Sequence, residues 1–124
     1  MKLVDTTVAV DYLRGRGPAE LLQELAEVPD DVVVSELVSF EVLAGAREDE
    51  LPAVEKLLAT LEWVPVADTV SRLGGVLARR CRPSHSGIED VDYRIAATAL
   101  LLDAELLTTS VRRFPMLEGL SPAY

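Results

Sequence analysis

The sequence predicts an α/β domain built on a parallel sheet covered on both faces by helices. Short apolar runs alternate with amphipathic helical stretches along the chain. The runs are apolar at consecutive positions, as in strands buried on both faces, and no hairpin signal joins them. At 124 residues, residues 1–124 are expected to form a single domain around one core.

Each element follows from local chemistry. Lys2-Leu3-Val4 reads as a short buried strand that ends at Asp5. Pro18 opens a helix in which Leu21, Leu22, Leu25 and Ala26 recur at helical spacing, with Glu20, Gln23, Glu24 and Glu27 opposite. Val32-Val33-Val34 is the second strand, since three β-branched residues in a row suit a strand buried on both sides. Ser35 ends it and is a natural N-cap for the helix that follows. From Glu48 to Leu61, Leu51, Val54, Leu58 and Leu61 share a helix face. Trp63-Val64-Pro65-Val66 is a third strand whose proline suits an edge. Asp68 caps a helix carrying Leu73, Val76, Leu77 and Arg80, and Arg82-Pro83-Ser84-His85-Ser86-Gly87 has loop composition. Asp92 to Leu102 is Ala-rich and apolar, a central buried helix, and leads into a fourth strand, Glu105-Leu106-Leu107-Thr108.

Composition removes several classes of function. A single cysteine, Cys81, allows no intramolecular disulfide. No apolar stretch approaches the roughly 18 residues of a membrane span, and the N-terminus reaches Asp5 too soon for an export signal. A soluble cytoplasmic protein is expected. With 12 basic and 21 acidic residues the net charge is −9, which argues against tight nonspecific nucleic-acid binding. It leaves room for local basic clusters at Arg79, Arg80, Arg82, Arg94, Arg112 and Arg113.

Most acids lie opposite leucines or in loops, where solvated charges belong. Three do not. Asp5 stands at the carboxyl end of the first strand, where open parallel sheets bind ligands; it is also placed to cap a helix starting near Thr6. Glu41 has Leu37, Val38, Ala44 and Gly45 as its helical neighbours, so it lies at the stripe's edge or is compensated by positive charge. Asp92 opens its helix and is placed to cap it; Asp90 or Glu89 could take that job instead, leaving Asp92 inside the first turn, where a carboxylate also favours the helix dipole. Oxygen ligands from three separated elements, with no Cys or His nearby in sequence, suit a hard cation such as Mg²⁺ or Mn²⁺. Metal-assisted phosphodiester hydrolysis is a chemistry that follows.

At these residues the chain resembles the PIN-domain nucleases, and within them the VapC-like toxins of bacterial toxin–antitoxin pairs. The resemblance spans essentially the whole chain. It runs through Leu3-Val4-Asp5-Thr6-Thr7-Val8, Ser39-Phe40-Glu41-Val42-Leu43-Ala44-Gly45-Ala46-Arg47, Asp92-Tyr93-Arg94-Ile95-Ala96-Ala97-Thr98-Ala99 and Leu107-Thr108-Thr109-Ser110-Val111-Arg112-Arg113-Phe114-Pro115. It implies a three-layer α/β/α domain in which Asp5, Glu41 and Asp92 hold Mg²⁺, with Mn²⁺ as a substitute, and cleave RNA endonucleolytically. It also implies a homodimer and a cognate antitoxin lying across the active-site groove. Thr6 or Ser39 would orient ligands or water.

The pattern departs from the family at one place. Where a Thr-x-Asn or Thr-x-Asp followed by a further Asp before the Phe is usual, this chain has Ser110 and Arg113. A fourth carboxylate is missing there. Ser110 then reads as a neutral contact to metal-bound water, and Arg112 or Arg113 as facing substrate phosphate. A second ion is left short of anionic ligands, whereas a one-metal mechanism still works. The same departure motivates an alternative, a catalytically weakened module that binds RNA or a partner. A phospho-receiver needs a late lysine, and the lysines are Lys2 and Lys56; an aspartyl phosphatase needs an acid where Thr7 stands. His85, in a loop, and Cys81, without an evident base, are weak catalytic candidates.

Overall fold

The computed structural model describes residues 1–18, 27 and 31–124. The helix expected from Pro18 through Glu27 lies outside the described residues apart from its two ends. The remaining elements follow in chain order: β1 (Lys2–Val4), α1 (Thr6–Leu13), β2 (Val32–Ser35), α2 (Glu36–Gly45), α3 (Leu51–Thr60), β3 (Glu62–Val64), α4 (Asp68–Cys81), α5 (Asp90–Leu102) and β4 (Glu105–Leu107). A 3-10 turn at Glu48–Glu50 enters α3, and another at Val111–Arg113 follows β4.

The four strands form one parallel sheet in the order β3-β2-β1-β4. Leu3 lies beside Val33 on one side and Leu106 on the other. Helices flank the sheet in two groups, α1 with α2 and α3, and α4 with α5, giving the α/β/α layers. Every residue of β2 is buried, which is why its consecutive valines carry no alternation. The core joins Leu3, Val4, Val34, Val38, Ile95 and Phe114 with their neighbours. Fully burying a side chain such as Ile95 contributes about 1.5–3 kcal/mol.

Local chemistry sets the element ends, with small differences from the sequence pattern. Ser35 caps α2 through its hydroxyl, which accepts the Leu37 N–H at 3.2 Å. Asp68 is not the cap of α4; Ala67 holds that position, and Asp68 pairs with Arg72 one turn along. A carboxylate inside the first turn still complements the helix dipole, which makes the two placements hard to separate by pattern. Helix α5 starts at Asp90, two residues before Asp92, with Glu89 as its cap. Of the α3 face, Val54 is buried whereas Leu51 is exposed. Strand β3 stops before Pro65 and stands at the sheet edge.

The strand order decides where ligands can enter. From β1 the chain moves outward through β2 and β3, then returns to place β4 on the opposite side of β1. The carboxyl end of β1 is therefore the point where the winding reverses, the place where open α/β sheets leave a crevice. Asp5 follows β1 there, and Thr108 follows β4 beside it, the Asp5 N–H bonding the Leu107 carbonyl at 2.9 Å.

Candidate active site

Asp5 is fully buried. It holds the N-cap position of α1 with an extended backbone, yet its side chain makes no capping bond. Instead Oδ2 accepts the Thr108 hydroxyl at 2.7 Å and the Thr7 hydroxyl at 3.3 Å. Backbone N–H groups orient both hydroxyls, that of Thr109 bonding Thr7 Oγ1 at 3.1 Å and that of Ser110 bonding Thr108 Oγ1 at 3.0 Å. Oδ1 of Asp5 is buried without any hydrogen-bond partner. A buried carboxylate oxygen left bare costs free energy unless a cation completes it.

Asp92 is equally inaccessible. Its Oδ2 accepts the Glu89 N–H at 3.0 Å, closing a capping box, while Oδ1 meets the Arg113 guanidinium. Capping and charge pairing thus occupy the two oxygens of one carboxylate. Glu41, half-buried on α2, accepts the Thr6 hydroxyl on Oε1 at 2.7 Å. Burial pushes its carboxyl above the ordinary value; Thr6 and Arg113 pull it down, and the negative charges of Asp5 and Asp92 push it up again. The Asp92 hydrogen bond leads the effects that hold Arg113 protonated, with the charges of Asp5 and Glu41 also contributing and burial opposing them.

Glu41 therefore lies within electrostatic reach of Asp5 and Asp92, and Arg113 within reach of all three carboxylates. The three acids stop short of a ready-made cage: among the described residues no three His, Cys, Asp or Glu side chains gather closely enough to hold a metal. Like charges in a poorly hydrated crevice repel, and Arg113 supplies positive charge beside Asp92. Sequence suggested that Arg112 or Arg113 faces substrate phosphate; Arg113 meets Asp92 while keeping part of its side chain exposed. The donor set still fits a hard divalent ion, because all three donors are carboxylates and Asp5 Oδ1 is unclaimed.

The other predicted residues fall around this cluster. Ser39 is half-buried on α2, two residues before Glu41; Ser110 is half-buried after β4; Arg112 is exposed. His85 is exposed in its loop against the Ser84 hydroxyl. Thr7 and Thr108 were not singled out by sequence reasoning. The available signal was a threonine directly after a buried apolar strand, where a polar side chain needs a partner.

A family profile for the PIN domain matches residues 2–118. The chain belongs to the PIN-domain family. This PIN domain is 55% identical over 125 residues to Ribonuclease VapC19 of Mycobacterium tuberculosis, the match covering 100% of both chains. It is 36% identical over 124 residues to Ribonuclease VapC10 of the same organism, covering 100% of this chain and 93% of that one. A solved toxin–antitoxin complex from Klebsiella pneumoniae contains a chain with the same fold, at a TM-score of 0.79 and 23% identity, covering 100% of this chain and 98% of that one. No described helix of this PIN domain is long and apolar enough to cross a membrane.

Proposed function

We propose that this PIN domain is a divalent-metal-dependent endoribonuclease, the toxin of a toxin–antitoxin pair. One observation carries the reading: a chain 55% identical to a named ribonuclease over its full length buries Asp5 at the switch point with an oxygen left unpaired. Asp5, Glu41 and Asp92 hold the ion, with Mg²⁺ the ordinary occupant and Mn²⁺ a substitute. When bound, such an ion polarises a phosphoryl oxygen and lowers the pKa of an attacking water. Thr108 and Thr7 fix the Asp5 carboxylate, and Thr6 fixes that of Glu41. Ser39 and Ser110 orient water near the acids, and Arg112 faces the substrate backbone. The protein works in the cytoplasm as a homodimer, and a cognate antitoxin covers the groove to silence it.

The test is cleavage of RNA by purified protein with Mg²⁺, with Mn²⁺ and with chelator. Asp5→Asn and Asp92→Asn, which keep side-chain shape, are expected to lower the rate by about a hundredfold or more, since even the groups that merely support metal ligands are worth 10–100-fold. Undiminished cleavage by both variants would reject the site. The Arg113–Asp92 contact favours one second reading, a weakened module that binds RNA or a partner without cutting. Metal-independent RNA binding by the wild-type protein, with no cleavage at any Mg²⁺ or Mn²⁺ concentration, would establish that reading instead.

A further inference from the structure

Arg113 is held in the acid cluster from two directions. The 3-10 turn Val111–Arg113 carries it past the end of β4, and the next residue, Phe114, is buried in the core with its ring 5.8 Å from the guanidinium carbon. Its nitrogen meets Oδ1 of Asp92, the oxygen that the capping box leaves over. The side chain itself retains 28% exposure, whereas its partner Asp92 retains none. On its outer side it lines a cavity of about 510 Å³, together with Arg112, Ser86, Gly87 and Ser110. There is accordingly space into which the guanidinium can withdraw without disturbing the core.

We propose that Arg113 is a resident counter-ion of the carboxylate cluster, competing with the divalent ion for Asp92, so that the ion gains Asp92 only as the guanidinium withdraws. This rests on the metal-centre reading above. Three carboxylates in a poorly hydrated crevice repel unless a cation lies among them. In the metal-free protein Arg113 is that cation, and it relieves the repulsion that would otherwise destabilise the fold. A divalent ion seeking all three acids then meets a fixed positive charge against Asp92, at a spacing where like charges interact strongly. Asp5 bears no such obstacle, because its Oδ1 is bare. The ion therefore binds first where Asp5 is free and gains Asp92 at the arginine's expense. A guanidinium remains charged at any working pH, so deprotonation offers no escape and withdrawal is the only route.

Isothermal titration with MnCl2, in the absence of RNA, separates this proposal from its parent. Arg113→Gln is expected to bind Mn²⁺ about tenfold more tightly than wild type, ~1.4 kcal/mol, and to melt lower without metal. Arg113→Lys keeps the charge but carries it on a flexible ammonium in place of the planar guanidinium, and its affinity should lie between the two. Mn²⁺ affinity in both variants equal to or below that of wild type overturns the proposal, because Arg113 would then be orienting Asp92 for the ion. Asp5→Asn reports on the parent reading: Mn²⁺ binding as tight as wild type removes the metal centre itself and the proposal with it. Loss of binding in Asp5→Asn alongside tighter binding in Arg113→Gln supports both.

Discussion

Thr108 shows how much of the site depends on residues without reactive chemistry of their own. Its hydroxyl donates to Asp5 Oδ2 and accepts the Ser110 N–H, and the side chain is fully buried. Thr108→Val preserves shape and removes both bonds, leaving the buried Asp5 oxygen and the part-buried Ser110 N–H short of partners. The expected loss of stability is about 1–3 kcal/mol, read from urea denaturation. RNA cleavage should fall 10–100-fold, as for groups that orient a metal's ligands, and Thr108→Ser should restore most of both. Stability and cleavage both at wild-type level in Thr108→Val would show that Asp5 does not depend on this bond. Sequence could single out Asp5, Glu41 and Asp92 because each is a charge in an apolar or strand-end setting. It could not single out Thr108, whose partner lies 103 positions away and comes near only through the pairing of β1 with β4.

At the scale of elements, caps and ends carry most of what local sequence encodes. Ser35 was legible as a cap because the hydroxyl-to-N–H bond involves neighbours only. The end of α5 is less favourable. Asp103 adopts the left-handed conformation at φ 50°, making it the one described non-glycine residue with positive φ. A Cβ is disfavoured there, and a negative charge at a helix C-terminus opposes the dipole. Asp103→Gly relieves both and should raise stability by about 0.5–1 kcal/mol, after the extra chain entropy of glycine is offset. Asp103→Asn, which removes only the charge, should recover part of the gain. Thermal unfolding measures both, and destabilisation by Asp103→Gly would mean that the aspartate side chain stabilises the turn.

Over the whole molecule, the C-terminal tail returns to the start of the chain. Ala123 N–H bonds the Thr108 carbonyl at 2.8 Å, and the Tyr124 hydroxyl donates to Asp11 of α1 at 2.5 Å. Partial burial and that bond, with the Asp11 charge, push the Tyr124 phenol up from 10 to about 12. The neutral phenol is the form that docks. The tie is therefore complete below pH 10, the value of the free phenol, and is lost as pH rises through about 12. Absorbance at 295 nm should show a tyrosinate step near the upper value that Tyr124→Phe abolishes. If that variant instead deletes a step near the ordinary value, the tail is undocked in solution.

By itself the sequence determined the fold class, because burial on both faces writes a strand as a continuous apolar run and amphipathic helices betray themselves by spacing. It also marked the acids that local surroundings do not explain. Only tertiary structure decided what those acids touch. The strand order β3-β2-β1-β4 puts Thr108 beside Asp5, and the turn after β4 brings Arg113 onto Asp92. Hydrogen bonding and charge act over a few ångströms whatever the separation along the chain. A residue's neighbours in sequence can show that a charge needs a partner, but only the path of the chain supplies one.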